Sequence, residues 1–207
     1  MKQETLVQII KILNKRYKFR FHKSNPFKLL IGVLLSHRTR DEVGWPASDR
    51  LFNKAKNLGG ILNLSTRDIE KVIYPVGFYR TKAKRIKQIC RILKEKYRGK
   101  VPKRREELME LPGIGPKSAD IVLSYAYGQS VIAVDTHVSV ISKRWHLTEQ
   151  KEPEKIREDL HSRIPIKYRL TFNDLLVQFG KEFCTARYPK CKICPIFKFC
   201  PYESKNL

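Results

Sequence analysis

In the opening stretch MKQETLVQIIKILNKRYKFR, Leu6, Ile9, Ile10 and Leu13 recur at the three- and four-residue spacing of a single helical face. A surface helix with one buried side is predicted there. Lys11 and Lys15 interrupt any apolar run, so the stretch is not expected to be a secretion signal. NPFKLLIGVLLS is nearly all apolar over 27–35 and predicts a buried helix. STRDIEKVIYPVGF opens with a capping pattern at Ser65 and sets Ile69, Val72 and Ile73 on one face. RTKAKRIKQICRILKEKY places Ile86, Ile89, Ile92 and Leu93 inside and a dense basic face outside. Cys90, alone in that stretch, reads as a small buried apolar side chain. PEKIREDLHSRI and TFNDLLVQFG repeat the helical period, whereas strand-like alternation is scarce and best in the short QSVIAVD. No repeat or low-complexity segment stands out, and the pattern as a whole predicts an all-α fold.

One stretch breaks the period in a way that suggests a site. In REELMELPGIGPKSADIVLSYAYG, residues 105–128, a short helix carrying Leu108 and Leu111 is stopped by Pro112-Gly113-Ile114-Gly115. Pro116 suits the first turn of a second helix, where its missing N–H is no loss. Gly113 and Gly115 let the turn approach another backbone closely. The unpaired N–H groups at the new helix start favour an anion such as a phosphate. A plain helix–turn–helix packing unit is the alternative. Shortly afterwards, in VIAVDTHVSVI, Asp135 precedes an apolar-periodic run, so capping the next helix is one sufficient role for it. His137 beside it is by itself more in keeping with a structural than a catalytic residue.

Charge changes this picture. Among 207 residues there are 43 Lys and Arg against 20 Asp and Glu, a formal net charge of +23. Such an excess repels itself in a folded chain and suits a polyanionic partner, nucleic acid first among them. No run of about 18 apolar residues occurs, so no membrane span is expected. A cytoplasmic, nucleoid-associated protein follows, and there thiols stay reduced. Four of the five cysteines fall in CTARYPKCKICPIFKFCP, at Cys184, Cys191, Cys194 and Cys200, with six, two and five residues between them. A metal centre is therefore expected rather than disulfides. Spacing alone leaves zinc open beside an iron–sulfur cluster, although four-cysteine zinc sites normally show two close pairs and this chain has one.

LPGIGPKSAD, then AVDTH, then the C-x6-C-x2-C-x5-C ending resemble the endonuclease III family of DNA glycosylases, in the helix–hairpin–helix superfamily. NPFKLLIGVLLS, VGFYRTKAKRI and VPKRREELMELPGIG also resemble that family in order and spacing, so the resemblance covers nearly the whole chain. It implies that Cys184, Cys191, Cys194 and Cys200 ligate a structural [4Fe–4S] cluster, pinning a loop whose Arg187 and Lys190 meet phosphates. It implies that Lys117 is the nucleophile of a bifunctional glycosylase and abasic-site lyase acting on damaged, oxidised pyrimidines. Asp135 then matches the catalytic carboxylate. Phe78 matches the wedge that fills the gap left by a flipped base, a position usually held by a smaller aliphatic. Arg38 stands where many members carry a glutamine that contacts the orphaned base.

The same resemblance implies an architecture. A six-helix lobe, 20–129, contains the hairpin; a second lobe joins 1–19 to 130–207 and carries the cluster. Duplex DNA containing a damaged or mismatched base lies across the groove between them, bound by a monomer. Gly44-Trp45-Pro46 is expected to interrupt a normally continuous helical stretch. Trp45, like His137, is a candidate to line the base pocket, with simple packing as its alternative. Three other functions stay open: a mismatch-specific thymine or uracil glycosylase, whose known examples usually lack the hairpin lysine; a sibling of unusual base specificity; and a non-enzymatic DNA-binding module.

Overall fold

Asn25 and Ser65 show how this sequence starts its helices. Asn25 Oδ1 accepts from Lys28 N at 3.0 Å, and Pro26 follows at the first helical position. Ser65 and Asp68 close a reciprocal capping box, each side chain accepting from the other's backbone N–H at 3.1 Å. The computed structural model describes residues 1–18 and 24–205. Among these residues eleven α-helices form and no strand: α1 (Gln3–Tyr17), α2 (Pro26–Ser36), α3 (Asp41–Ala55), α4 (Leu58–Asn63), α5 (Thr66–Ile73), α6 (Tyr79–Lys96), α7 (Arg105–Met109), α8 (Pro116–Tyr127), α9 (Thr136–Arg144), α10 (Pro153–Arg163) and α11 (Ile166–Glu182). The all-α expectation holds.

The chain divides into two units, Met1–His22 with Gly128–Leu207, and Lys23–Tyr127. The boundary placed between residues 19 and 20 from sequence lies outside the described residues. The Lys23–Tyr127 unit is built around α2, whose residues 29–35 are all buried and which packs against α3, α6 and α8. It carries seven helical segments where the resemblance implied six, α4 and α7 being no longer than six residues. Cys90 lies fully buried in α6, as its apolar surroundings predict, and burial pushes its thiol up to about 12.

The other unit packs Leu6, Ile9, Ile10 and Leu13 of α1 with Val138 and Ile141 of α9 and Phe172, Leu176 and Phe179 of α11 around Trp145. Each fully buried Leu, Ile or Phe contributes roughly 1.5–3 kcal/mol to such a core. QSVIAVD forms no strand: it is an irregular segment, turned at its start by Val131 N donating to Gln129 O at 2.8 Å, with Ile132, Ala133 and Val134 buried. A lone segment has no ladder partner, so side chains serve its backbone. Ile132 N donates to His161 Nε2 at 3.1 Å, and Ala133 O accepts from Asn173 Nδ2 at 2.8 Å.

The expected break at Gly44-Trp45-Pro46 is absent. α3 runs through it, with Pro46 inside the helix. Tertiary packing overrides the local preference. Gly44 lies so close to α2 that a Cβ there would sit 3.0 Å from Ser36 Oγ and 3.1 Å from Ser36 Cα.

Candidate active site

The hairpin forms as its sequence dictates. After α7 the chain turns through Leu111–Ile114, with Ile114 N donating to Leu111 O at 3.0 Å, and α8 begins on Pro116. The two glycines differ. Gly113 has φ +85, and a Cβ there would meet Arg85 Cδ at 2.9 Å and Leu34 Cδ1 at 3.0 Å. Gly115 has nothing within 4 Å of its would-be Cβ. The first demands glycine for the fold; the second keeps the turn open to an outside partner. Arg105 of α7 fastens the hairpin by donating from Nε to Asp120 Oδ1 of α8 at 2.9 Å, with Asp120 1% exposed. Lys117 stands exposed in the first turn of α8, where backbone N–H groups have no intrahelical acceptor.

Three residues that the sequence did not single out surround this hairpin. His37 lies half-buried with Nε2 2.7 Å from Ser118 Oγ, the residue after Lys117. Burial first, then the charges of Lys82, Lys117 and Arg85, hold its imidazole below the usual histidine range, so it favours the neutral form beside Lys117. Lys82 of α6 is 3% exposed and donates from Nζ to Leu35 O at 2.7 Å, His37 O at 2.6 Å and Thr39 Oγ1 at 3.1 Å. Thr39 Oγ1 also accepts from Gly77 N at 3.1 Å. A signal for Lys82 existed: it falls on the 82, 86, 89, 93 stripe that α6 buries.

Arg38 and Phe78, forty residues apart in sequence, come together here. Arg38 has φ +48 and Phe78 φ +56, and the Arg38 guanidinium carbon lies 5.9 Å from the Phe78 ring centroid. Phe78 is 62% exposed, which leaves a large ring available to a partner. Trp45 packs over Gly32 of α2, where a Cβ would fall 2.3 Å from a ring carbon. The rest of the ring is exposed, at 39% of the residue.

In the other unit Asp135 caps α9, with Oδ1 accepting from Val138 N at 2.8 Å. The residue is half-buried, and this cap engages Oδ1. His137 packs against Gly180 of α11, its Nδ1 2.4 Å from where a Cβ would lie.

The cysteine loop is organised by a residue that sequence reasoning missed. Arg144, 8% exposed, donates from Nη1 to Thr185 O at 2.7 Å and Cys184 Sγ at 3.1 Å, and from Nη2 to Ala186 O at 2.7 Å. Arg187 and Lys190 are exposed on the same loop. Cys184, Cys194 and Cys200 pack against the core of this unit. Burial foremost, then the charges of Cys200, Cys184 and Cys191, pushes the Cys194 thiol up to about 11. No three candidate ligands converge on a metal position among the described residues. The chemistry of the donor set suits an iron–sulfur cluster: four thiols in one C-terminal loop, with a guanidinium donating to the sulfur of Cys184.

Comparison with known proteins places this geometry. Residues 31–165 match the HhH-GPD superfamily base excision DNA repair protein model. The endonuclease III of Thermotoga maritima is 37% identical over 192 residues, covering 93% of this chain and 90% of that protein. A trapped endonuclease III–DNA covalent intermediate, an estranged-adenine complex, superposes with TM-score 0.87 at 32% identity, over 97% of this chain and 96% of that one. A thermostable thymine-DNA glycosylase superposes with TM-score 0.86 at 26% identity, over 97% of this chain and 95% of that one. The chain belongs to the endonuclease III family of the HhH-GPD superfamily, base-excision-repair DNA glycosylases with abasic-site lyase activity. No helix among the described residues is long and apolar enough to cross a membrane.

Proposed function

We propose that this protein, acting as a monomer, removes oxidised pyrimidines from duplex DNA and then cleaves the strand, with Lys117 as nucleophile. The observation that carries this reading is an exposed lysine in the first turn of the helix that follows the Gly113 turn. The target base must leave the stack before it can be reached. The Lys117 amine attacks the sugar C1′, and the base departs with the electron pair of the glycosidic bond. The C1′–O4′ bond then breaks, O4′ taking a proton as the sugar opens and the imine to Lys117 forms; the imine acidifies C2′, and loss of a C2′ proton expels the 3′ phosphate. Asp135 is the catalytic carboxylate of this reading and stabilises the positive charge that develops on the sugar.

Cys184, Cys191, Cys194 and Cys200 would hold a [4Fe–4S] cluster, which supplies a structural crosslink when bound. Arg144 orients the loop, and Arg187 and Lys190 on it meet phosphates. The Gly113–Pro116 turn and α8 start receive a further phosphate. Contacts of this kind bind all sequences alike. Gly115→Ala is accordingly expected to leave stability within about 0.5 kcal/mol of wild type and to weaken binding to any duplex. Gly113→Ala is expected to cost about 1–2 kcal/mol of stability through its left-handed backbone alone. Urea unfolding together with duplex titrations distinguishes the two.

Arg38 faces the partner base orphaned by flipping. An arginine only donates, and guanine offers O6 and N7 to a guanidinium fork. Lesions opposite guanine are therefore preferred, by about 1–3 kcal/mol over other partners. The test is single-turnover cleavage of a panel of oxidised pyrimidines and mismatches, each opposite all four bases, by wild type and Arg38→Gln. Cleavage of oxidised pyrimidines with a guanine preference that the variant flattens supports the reading. Cleavage confined to thymine or uracil mismatches contradicts the substrate assignment, and an unchanged preference in Arg38→Gln removes Arg38 as the reader.

A further inference from the structure

An ammonium withdrawn from water is costly unless its protons are bonded, and an apolar side chain of similar volume would fill the same space at less cost. Lys82 is such a group. Burial, with Arg85 adding to it, pushes its amine down to about 8, against its usual value above 10. The core of this unit gains nothing from the charge as such. What the three protons do is fix the chain that leaves α2: they bind the carbonyls of Leu35 and His37 and the hydroxyl of Thr39. Thr39 passes the constraint on by accepting from Gly77 N. Gly77 itself lies so close that a Cβ there would stand 2.7 Å from Arg38 O. Arg38 and Phe78 flank this node, one on each strand of chain, both in the left-handed region that non-glycine residues avoid. Backbone strain of that kind persists only where the surroundings over-determine it.

We propose that Lys82, acting with Thr39, is a positioning residue that locks Arg38 and Phe78 into a single unit for entering the duplex. This rests on the reading of Phe78 as wedge and Arg38 as reader of the orphaned base. Without the node the guanidinium–ring contact and the close approach of Gly77 to Arg38 O remain between the two segments, and the wedge has to be ordered each time a base is flipped. The loss should therefore appear only where a base pair must be opened.

The experiment compares single-turnover cleavage of one lesion opposite guanine with cleavage of the same lesion facing a one-nucleotide gap, where no partner base is left behind. Wild type, Phe78→Ala, Lys82→Met and Thr39→Val are measured. The duplex-to-gap rate ratio cancels any loss of folded protein, because one preparation serves both substrates. The ratio is expected to fall roughly tenfold in Lys82→Met and Thr39→Val, the size of one lost hydrogen bond to a charged group, and to fall similarly in Phe78→Ala. If Lys82→Met does not fold, Thr39→Val, which removes one hydroxyl, carries the test. A ratio that falls in Phe78→Ala but not in the Lys82 and Thr39 variants overturns the positioning role alone. A ratio unmoved by Phe78→Ala overturns the wedge and, with it, any need to position one.

Discussion

Lys117→Ala is expected to lose strand cleavage altogether and to release damaged bases about a thousandfold more slowly, or worse, than wild type. The lysine supplies the attacking amine and then the imine that makes C2′ acidic, so both steps fail together. The substitution leaves the fold untouched: Lys117 is exposed, and Ser118, Ala119 and Asp120 beside it make the buried contacts of α8. Stability should stay within about 0.5 kcal/mol of wild type, and affinity for undamaged duplex within a few-fold. Parallel base-release and strand-cleavage assays check this. Base release at near wild-type rate with cleavage alone abolished would make the protein a water-using glycosylase and leave Lys117 serving only the second step.

A large loss of stability is expected from Arg105→Ala. Asp120 is 1% exposed, and the guanidinium gives it donors at 2.9 and 3.4 Å. Removing Arg105 takes a charged donor from a buried carboxylate, at a cost of about 1.5–3 kcal/mol. Because the pair joins the two helices of the hairpin, binding to any duplex should weaken as well. Lys96→Ala breaks the pair with Glu110, in which both side chains are more than half exposed, and serves as the contrast. Surface pairs contribute little, so its urea midpoint should hardly move. Equal midpoints for the two variants would mean that the Arg105 pair does not hold the hairpin.

What could be read from the sequence was what is local. The Ser65 capping pattern, the apolar run of α2 and the Pro-Gly-Ile-Gly turn each carry their structure within a few residues, and all three form. α4, six residues long, is too short to show a period in the sequence. Pro46 misled because the preference of a proline is local, while the α2–α3 packing that overrides it is not. Lys117, Asp135 and the four cysteines entered the proposed site through spacing and resemblance, which need no tertiary contact to be seen. Lys82 was hidden by its chemical type: a lysine in a basic helix reads as solvated, although its position lies on the buried stripe. Arg144 and the Arg38–Phe78 contact were not legible, because their partners are about forty residues away and only folding brings them together.

Borohydride reduction of the wild-type protein on DNA bearing an abasic site bears most directly on the assignment of this chain as a lysine-dependent glycosylase and lyase. The imine is reduced to a stable amine, so the protein should become covalently attached to the strand, and peptide mapping should place the adduct on Lys117. A protein that cleaves the strand without being trapped, or that is trapped through another residue, contradicts the assignment.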